Sequence, residues 1–292
     1  MARSIGVLAT HYIWVGIVED LKLGMVRMYP EPGQGPIDLK SVPTEEIVAR
    51  ILEQIAKLHQ GEPIDSLGAG FPGIVRCGVI DDSPNLAQLK GIHIQEKLAA
   101  ALKAEGIDAP VGVLNDADAL AAGIAATQGT LERLVRVWYL GDGIGYGRWP
   151  LSDGVNEGGH SVVTLDPKEK FCGCGGEGHL EGIMGNRAMR LRFLDMEPEE
   201  VFAAAREGNT KCAEFVQMWH RALAAATASS VHFDGPGKFY LAGPNSDFVD
   251  LLLVNRYLQD MVKMSPLQGS HFEVVTSSHD LALIGAAVSS RR

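Results

Sequence analysis

The sequence contains no block of five or six lysines and arginines, and its net charge is −10 with a pI near 5.4. Such a chain offers a phosphate backbone no complementary surface, so nucleic acid is not an expected partner. No apolar run reaches the roughly 18 residues that a membrane span requires. The segment after Met1 turns strand-like within three residues and lacks a signal-peptide pattern. These absences lead to the expectation of a cytoplasmic protein with no membrane partner. Cysteine is scarce too, and four in 292 residues do not make a disulfide scaffold. Cys172 and Cys174 stand one residue apart, a spacing that suits a metal better than a bridge, whereas Cys77 and Cys212 read as plain buried thiols.

What is present is an ordinary globular composition, 46% hydrophobic and 21% charged. The length suffices for two lobes, each with its own core. The 34 glycines exceed the average share of about 7% and gather in short runs, as ligand-lining loops do.

The opening alternates with the strand period through Ile5, Val7 and Ala9, then Ile13, Val15 and Ile17, then Met25, Val26 and Met28, which predicts three antiparallel strands. Thr44 with Glu45 and Glu46 reads as a capping box opening a helix through Ile47, Ile51, Ile55 and Leu58. A strand over 67–71, a hairpin with Val75 and Val79, a helix over 98–103, a strand over 111–114 and a helix from Asp116 follow. A second series weakly repeats the first. It has strands over 135–140 and 144–149, helices over 198–230, a strand over 239–241, a helix over 248–264, a strand over 272–276 and a helix over 281–288. Helices covering a mixed sheet make an α/β fold.

The strongest chemical signal is Phe171-Cys-Gly-Cys-Gly-Gly-Glu-Gly-His179. Its glycines let Cys172, Cys174 and His179 converge, and His160, earlier in the chain, completes a tetrahedral zinc set. Four protein ligands leave no open coordination position, so the zinc is expected to be structural. A glycine-rich turn with incidental cysteines is the plainer alternative. Asn115-Asp116 falls where a strand gives way to a helix. A helix cap is the commoner use of that position, but ligands of α/β sheets also bind beyond the carboxyl ends of strands. Glu157 and Glu181 flank the metal loop, and shared fixing by one zinc would turn both toward a polyol. Gly141-Asp-Gly-Ile-Gly-Tyr-Gly147 is either a phosphate-cradling turn or simply a tight hairpin.

Together these pieces resemble the ROK family of bacterial sugar kinases and repressors. The matching stretches run in family order: Phe71-Pro-Gly73, Ser83-Pro-Asn-Leu86, Leu114-Asn-Asp-Ala117, Leu140-Gly-Asp-Gly-Ile-Gly145, Glu157-Gly-Gly-His160, Cys172-Gly-Cys174 and His179-Leu-Glu181. The resemblance implies the two-lobed actin/hexokinase-type (ribonuclease H-like) ATPase fold, with one α/β lobe from 1–116 plus 277–292 and a second, carrying the zinc loop, from 117–276. It implies Asp116 as the base that deprotonates a sugar hydroxyl attacking the γ-phosphate of ATP. Asn85, Asn115, Glu157, His160 and Glu181 match sugar-hydroxyl ligands, and Gly141, Gly143, Gly145 and Gly243 are the cofactor-side positions. His160 would serve zinc with one ring nitrogen and the sugar with the other. Magnesium would accompany ATP, and the family's habits imply a homo-oligomer.

Three departures stand out. His179 replaces a third cysteine, one zinc donor for another. The segment from Gly147 to Glu157 is shorter than usual. The family's opening Asp-x-Gly-Gly-Thr falls on Leu8-Ala-Thr-His-Tyr12, which loses every named position, and Asp142 stands where the family has threonine. An anion beside polyphosphate is unfavourable unless a metal or proton intervenes. Phosphoryl transfer rests on positioning and charge neutralisation, and each ~1.4 kcal/mol lost is tenfold in rate. Two functions therefore stay open: an ATP-dependent kinase of a hexose (glucose or N-acetylhexosamine class), weakened at its phosphate loops, and a sugar-binding pseudokinase acting as sensor or partner. A repressor is not expected, because a first strand from Ser4 leaves no room for an N-terminal helix-turn-helix.

Overall fold

The computed structural model describes residues 3–34, 37–152 and 154–290. Its elements in chain order begin with β1 (Arg3–Ala9), β2 (Ile13–Glu19), β3 (Lys22–Tyr29), α1 (Thr44–His59), β4 (Ser66–Phe71), β5 (Ile74–Arg76) and β6 (Val79–Asp82). Then come α2 (Ile94–Ala104), β7 (Val111–Asn115), α3 (Asp116–Thr127), β8 (Val135–Leu140), β9 (Ile144–Trp149), α4 (Glu181–Met184) and α5 (Asn186–Arg192). The chain ends with α6 (Pro198–Arg206), α7 (Thr210–Asp234), β10 (Lys238–Ala242), α8 (Leu251–Met261), β11 (His271–Val274) and α9 (Ser278–Ser289). Two compact units result: Met1–Val135 with Gly147–Val155 and Ser277–Arg292, and Arg136–Tyr146 with Asn156–Thr276.

The first unit is built on a five-stranded sheet in the order β3-β2-β1-β4-β7. The alternating opening pairs antiparallel, as its pattern predicts, and β1, β4 and β7 run parallel. Ile47, Ile51, Ile55 and Leu58 turn the apolar stripe of α1 into the core. That core buries them with Ile5, Val7, Val15, Leu67 and Phe71. Thr44 does not cap α1. Pro43 occupies the cap position, and the buried Thr44 hydroxyl donates instead to the Gln88 carbonyl at 3.0 Å. Cys77, expected to be buried, lies exposed in the β5–β6 turn with φ 48°.

The expected division at residue 117 differs from that of the structure, in which α3 stays with the first unit. The reason is its packing on α9. A Cβ at Gly123 would fall 1.7 Å from the Leu281 carbonyl oxygen, and one at Gly285 would fall 1.8 Å from that of Ala119. The two backbones touch where both side chains are missing.

The second unit has a four-stranded sheet ordered β11-β10-β8-β9, with β10 parallel to both β8 and β11. It repeats the parallel part of the first sheet but, among the described residues, carries no counterpart of β3, so the duplication is partial. Its core gathers on α7. Trp138 donates its indole N–H to Thr227 at 3.0 Å and Trp219 donates to the Met184 carbonyl at 3.2 Å, which ties the short α4 to the long helix. The expected helix over 248–264 starts later, at Leu251, because Asp250 accepts the amides of Leu252 and Leu253 and caps it there. The final strand ends at Val274, short of the expected 276.

Candidate functional site

In the second unit two arms of the chain lie side by side. Val163 donates to the Gly178 carbonyl at 2.8 Å and Leu180 to that of Ser161 at 2.9 Å, with a bridge between Val162 and His179. Before them the single turn Gly158–His160 presses on β9, and Gly159 makes that approach possible, since a Cβ there would sit 2.0 Å from the Ile144 oxygen. The pairing brings the His160 and His179 rings to 5.4 Å. Cys172 Sγ lies 3.4 Å from His160 Nδ1 and 3.4 Å from Cys174 Sγ, which lies 3.2 Å from His179 Nδ1. All four donor atoms fall within 4.8 Å of one another. Tetrahedral zinc–sulfur and zinc–nitrogen bonds imply donor separations of roughly 3.3–3.8 Å, so the donor set and its spacing fit zinc.

The surroundings hold the Cys172 thiol neutral unless a cation lies beside it. Burial pushes the Cys172 thiol up to about 12, and the neighbouring Glu181 and Cys174 add to the rise. A thiolate here requires positive charge beside it. Burial and then the nearby His160 lower the pKa of His179, which keeps its ring in the neutral form that binds metals.

Two acids frame the cluster. Glu157 Oε2 lies 3.8 Å from His160 Nε2, so one imidazole faces a sulfur with one nitrogen and a carboxylate with the other. Glu181, the first residue of α4, accepts the Ile144 amide at 3.0 Å with Oε2 and holds Oε1 3.7 Å from Cys172 Sγ. It thus fastens the glycine turn to the cysteine loop, a tie the sequence did not reveal.

That turn is more elaborate than its glycines suggest. The Gly141 carbonyl accepts the Asn186 amide at 3.1 Å and lies 3.5 Å from Asn245 Nδ2, while Asn245 Nδ2 donates to Asn186 Oδ1 at 2.6 Å. Gly143 closes the turn by accepting from the Gly141 amide at 3.1 Å, and Gly145 follows in β9. Gly243, at φ 88°, ends β10 ahead of Asn245. Asp142 accepts from Asn186 Nδ2 at 3.3 Å and faces Arg190 at 3.7 Å. Its carboxylate therefore has a cation beside it, supplied by the protein. Asn186 and Arg190, four residues apart on α5, carried no sequence signal before the fold set them against this turn.

In the first unit, Asn115 caps α3. Its Oδ1 accepts from Ala117 at 2.8 Å and Asp118 at 3.3 Å, and its Nδ2 donates to the Gly73 carbonyl at 2.8 Å. Gly73, at φ 100°, lies against Asp82 and Ser83, where a Cβ would be 2.2 Å from the Asp82 oxygen. This stack sets the 115 segment beside the turn that carries the exposed Asn85. Because Asn115 caps, Asp116 is the first helical residue rather than the cap, and its Oδ1 accepts the amide of its neighbour Ala117 at 3.0 Å.

The β1–β2 hairpin is different in kind. Leu8 is buried, Thr10 donates to the Tyr12 carbonyl at 3.0 Å, and His11 and Tyr12 are exposed at the tip. Tyr12 packs edge-on to Trp14, whose ring lies 5.5 Å from that of His279. None of the described helices is long and apolar enough to cross a membrane.

Comparison with known proteins agrees with this picture. Residues 37–291 match the model of the ROK family. The chain is 29% identical over 255 residues to a glucokinase of Pyrobaculum calidifontis, covering 80% of this chain and 81% of that one. Among solved structures it is similar to the ROK hexokinase from Thermus thermophilus, with TM-score 0.78, 23% identity and coverage of 98% and 97%. A ROK family glucokinase from Streptomyces griseus in complex with glucose and AMPPNP gives TM-score 0.72 at 21% identity, covering 99% of each chain. The fold is thus the expected actin/hexokinase-type α/β fold.

Proposed function

The chain belongs to the ROK family, and from that premise we propose that it is an ATP-dependent sugar kinase acting on a hexose of the glucose or N-acetylhexosamine class. The observation that carries the proposal is the division of labour at the start of α3. Asn115 caps the helix, which places Asp116 as its first residue at the carboxyl end of a strand, where ligands of α/β sheets bind. In this reading Asp116 takes the proton from a sugar hydroxyl as its oxygen attacks the γ-phosphorus and ADP departs. Magnesium-bound ATP supplies the phosphoryl group. Asn85, Asn115, Glu157, His160 and Glu181 hold sugar hydroxyls, with Asn115 and Glu181 already half-committed to the backbone and therefore rigid. Gly141, Gly143, Gly145 and Gly243 form the phosphate side, where Arg190 offsets the Asp142 charge.

His160, Cys172, Cys174 and His179 would hold zinc. A closed four-ligand set keeps the 157–181 segment ordered and leaves no position for activating water. Through the two nitrogens of His160, that order extends to Glu157. An ATP-dependent reaction on a small sugar also carries a cytoplasmic location, and the family premise carries self-association.

One observation favours a second reading, a sugar-binding protein without turnover. The hairpin tip presents His11 and Tyr12, with Leu8 buried behind them, and offers no short polar turn for phosphates. The two readings separate in one assay. Purified protein with magnesium, ATP and a panel of glucose, N-acetylglucosamine and N-acetylmannosamine should release ADP, and Asp116→Asn should not. Wild-type release no greater than that of the variant would reject the kinase. Calorimetry would then be expected to show sugar binding that depends on Glu157 and His160, with no affinity for magnesium-ATP.

A further inference from the structure

Away from every residue assigned above, the first unit carries an open cleft of about 240 Å³ lined by Tyr29, Glu31, Arg50, Glu53, Gln54 and Lys57, with Gln34 at its rim. It lies at the end of β3, and β3 and β7 are opposite edges of the sheet, so the cleft and Asp116 are separated by its full width. Its floor is unusual. The buried face of α1 is apolar except at Thr44, whose hydroxyl is bonded to Gln88, and at Gln54, a fully buried residue whose Oε1 and Nε2 both find no hydrogen-bond partner among the described residues. Arg50 Nε, one helical turn earlier, is likewise buried without a partner among the described residues. Buried amides nearly always have partners, so an amide held dry at the base of a cleft points to a ligand that supplies both a donor and an acceptor.

The walls say which kind. Lys57 Nζ meets Glu31 at 3.0 Å and Glu53 at 2.9 Å, and Arg50 meets the other Glu53 oxygen at 2.9 Å while its guanidinium lies over the Tyr29 ring. Two cations and two anions cancel, so a charged ligand gains nothing from the cleft as a whole and breaks pairs already made. A hydroxyl, in contrast, donates and accepts at once. With the Gln54 side chain turned out toward the cleft, a hydroxyl can donate to Gln54 Oε1 or to a spare carboxylate lone pair, and accept from Gln54 Nε2. We propose that this cleft is a second small-molecule site, distinct from the sugar site, that takes a neutral polyol, with Gln54 as its recognition residue.

The test reads Gln54 itself. Protein labelled with ¹⁵N in glutamine is titrated with glycerol, erythritol and sorbitol, with inorganic phosphate as the charged control. The Gln54 side-chain pair is assigned by its disappearance in Gln54→Leu. The expected result is a saturable shift of that pair with at least one polyol and none with phosphate. Calorimetry in an Asp116→Asn, Glu157→Gln background isolates the cleft, and there Gln54→Leu should weaken polyol binding about tenfold or more, the loss that follows removal of a hydrogen-bonding amide. If Gln54→Leu fails to fold, Glu31→Gln, on the wall, should weaken binding and leave the Gln54 signals in place. Gln54 signals unmoved by all three polyols would mean that the amide meets only water, and would overturn the proposal. A shift with phosphate alone would overturn the neutral class. Neither result depends on ATP turnover, so failure here is distinct from failure of the kinase reading.

Discussion

The segment 157–181 and the β1–β2 hairpin both depart from the pattern of the family, and they depart in opposite ways. At the first, His179 stands where the family has a cysteine, yet its Nδ1 lies 3.2 Å from Cys174 Sγ and the four donors still cluster. One lone-pair donor stands in place of another. At the hairpin, the family's acid and small residues have given way to Leu8, His11 and Tyr12, and the local structure is an aromatic contact among Tyr12, Trp14 and His279. No donor has been exchanged for a donor there. A site survives substitution when the chemistry of the contact is kept and is remade when only the chain path is kept. The glycine turn falls between the two cases, because Asp142 brings a negative charge in place of a neutral hydroxyl and Arg190 stands beside it.

The largest effect should come from the residue that both readings of the hairpin leave intact. Asp116→Asn is expected to lower the rate of ADP release by about 10²–10⁴, the range for a positioned general base, with sugar affinity by calorimetry nearly unchanged. A comparable loss of sugar affinity would break the comparison, since Asp116 would then belong to binding. Next in size is the metal loop. Cys172→Ser should lose zinc by elemental analysis and weaken sugar binding roughly 10–100-fold through the disordered His160 and Glu157. His179→Cys should keep both. Retention by the second variant is the sharpest check on donor-for-donor exchange.

Smaller again is the turn. Arg190→Ala leaves the Asp142 carboxylate with Asn186 as its remaining named partner. It should raise the KM for magnesium-ATP several-fold, up to about tenfold, in line with the modest worth of an exposed pair. Asp142→Thr on that background should recover most of the loss. An unchanged KM in Arg190→Ala would remove Arg190 from the phosphate side. The smallest effect lies outside both regions and calibrates pH measurements on them. Buried His220 accepts the Asp250 amide with Nε2 at 2.9 Å, and its Nδ1 lies 2.7 Å from the Val216 carbonyl, an arrangement only the neutral ring satisfies. Burial accordingly lowers its pKa. The unfolded chain takes up this proton below its ordinary value of about 6.5 while the folded chain resists. Stability should be complete above that pH and decline as pH falls below it. Urea midpoints at neutral and mildly acidic pH should show the decline, and His220→Gln should flatten it.

Much of this was legible without coordinates because it is local. The strand period of residues 5–17, the stripe of α1 and the Cys-Gly-Cys spacing each depend on residues a few positions apart. The errors share one cause. Thr44 looked like a cap, but Gln88, forty-four residues away, offered its hydroxyl a better partner. The family resemblance implies a lobe boundary at 117, whereas α3 is held by α9 from the far end of the chain. Arg190, Asn186, Asn245 and Gln54 left no mark in the sequence, because an arginine or an amide reads alike on any helix until its neighbours are known.

By itself, then, the sequence determined the α/β class and the family, since period and spacing are properties of neighbouring residues. Only the tertiary structure decided that Asn115 and not Asp116 caps α3, that a cation stands beside Asp142, and that the Gln54 amide is buried without a partner among the described residues. Each of these is a balance between groups far apart in the chain, and hydrogen bonding and charge pairing act over a few ångströms of space whatever the distance in sequence.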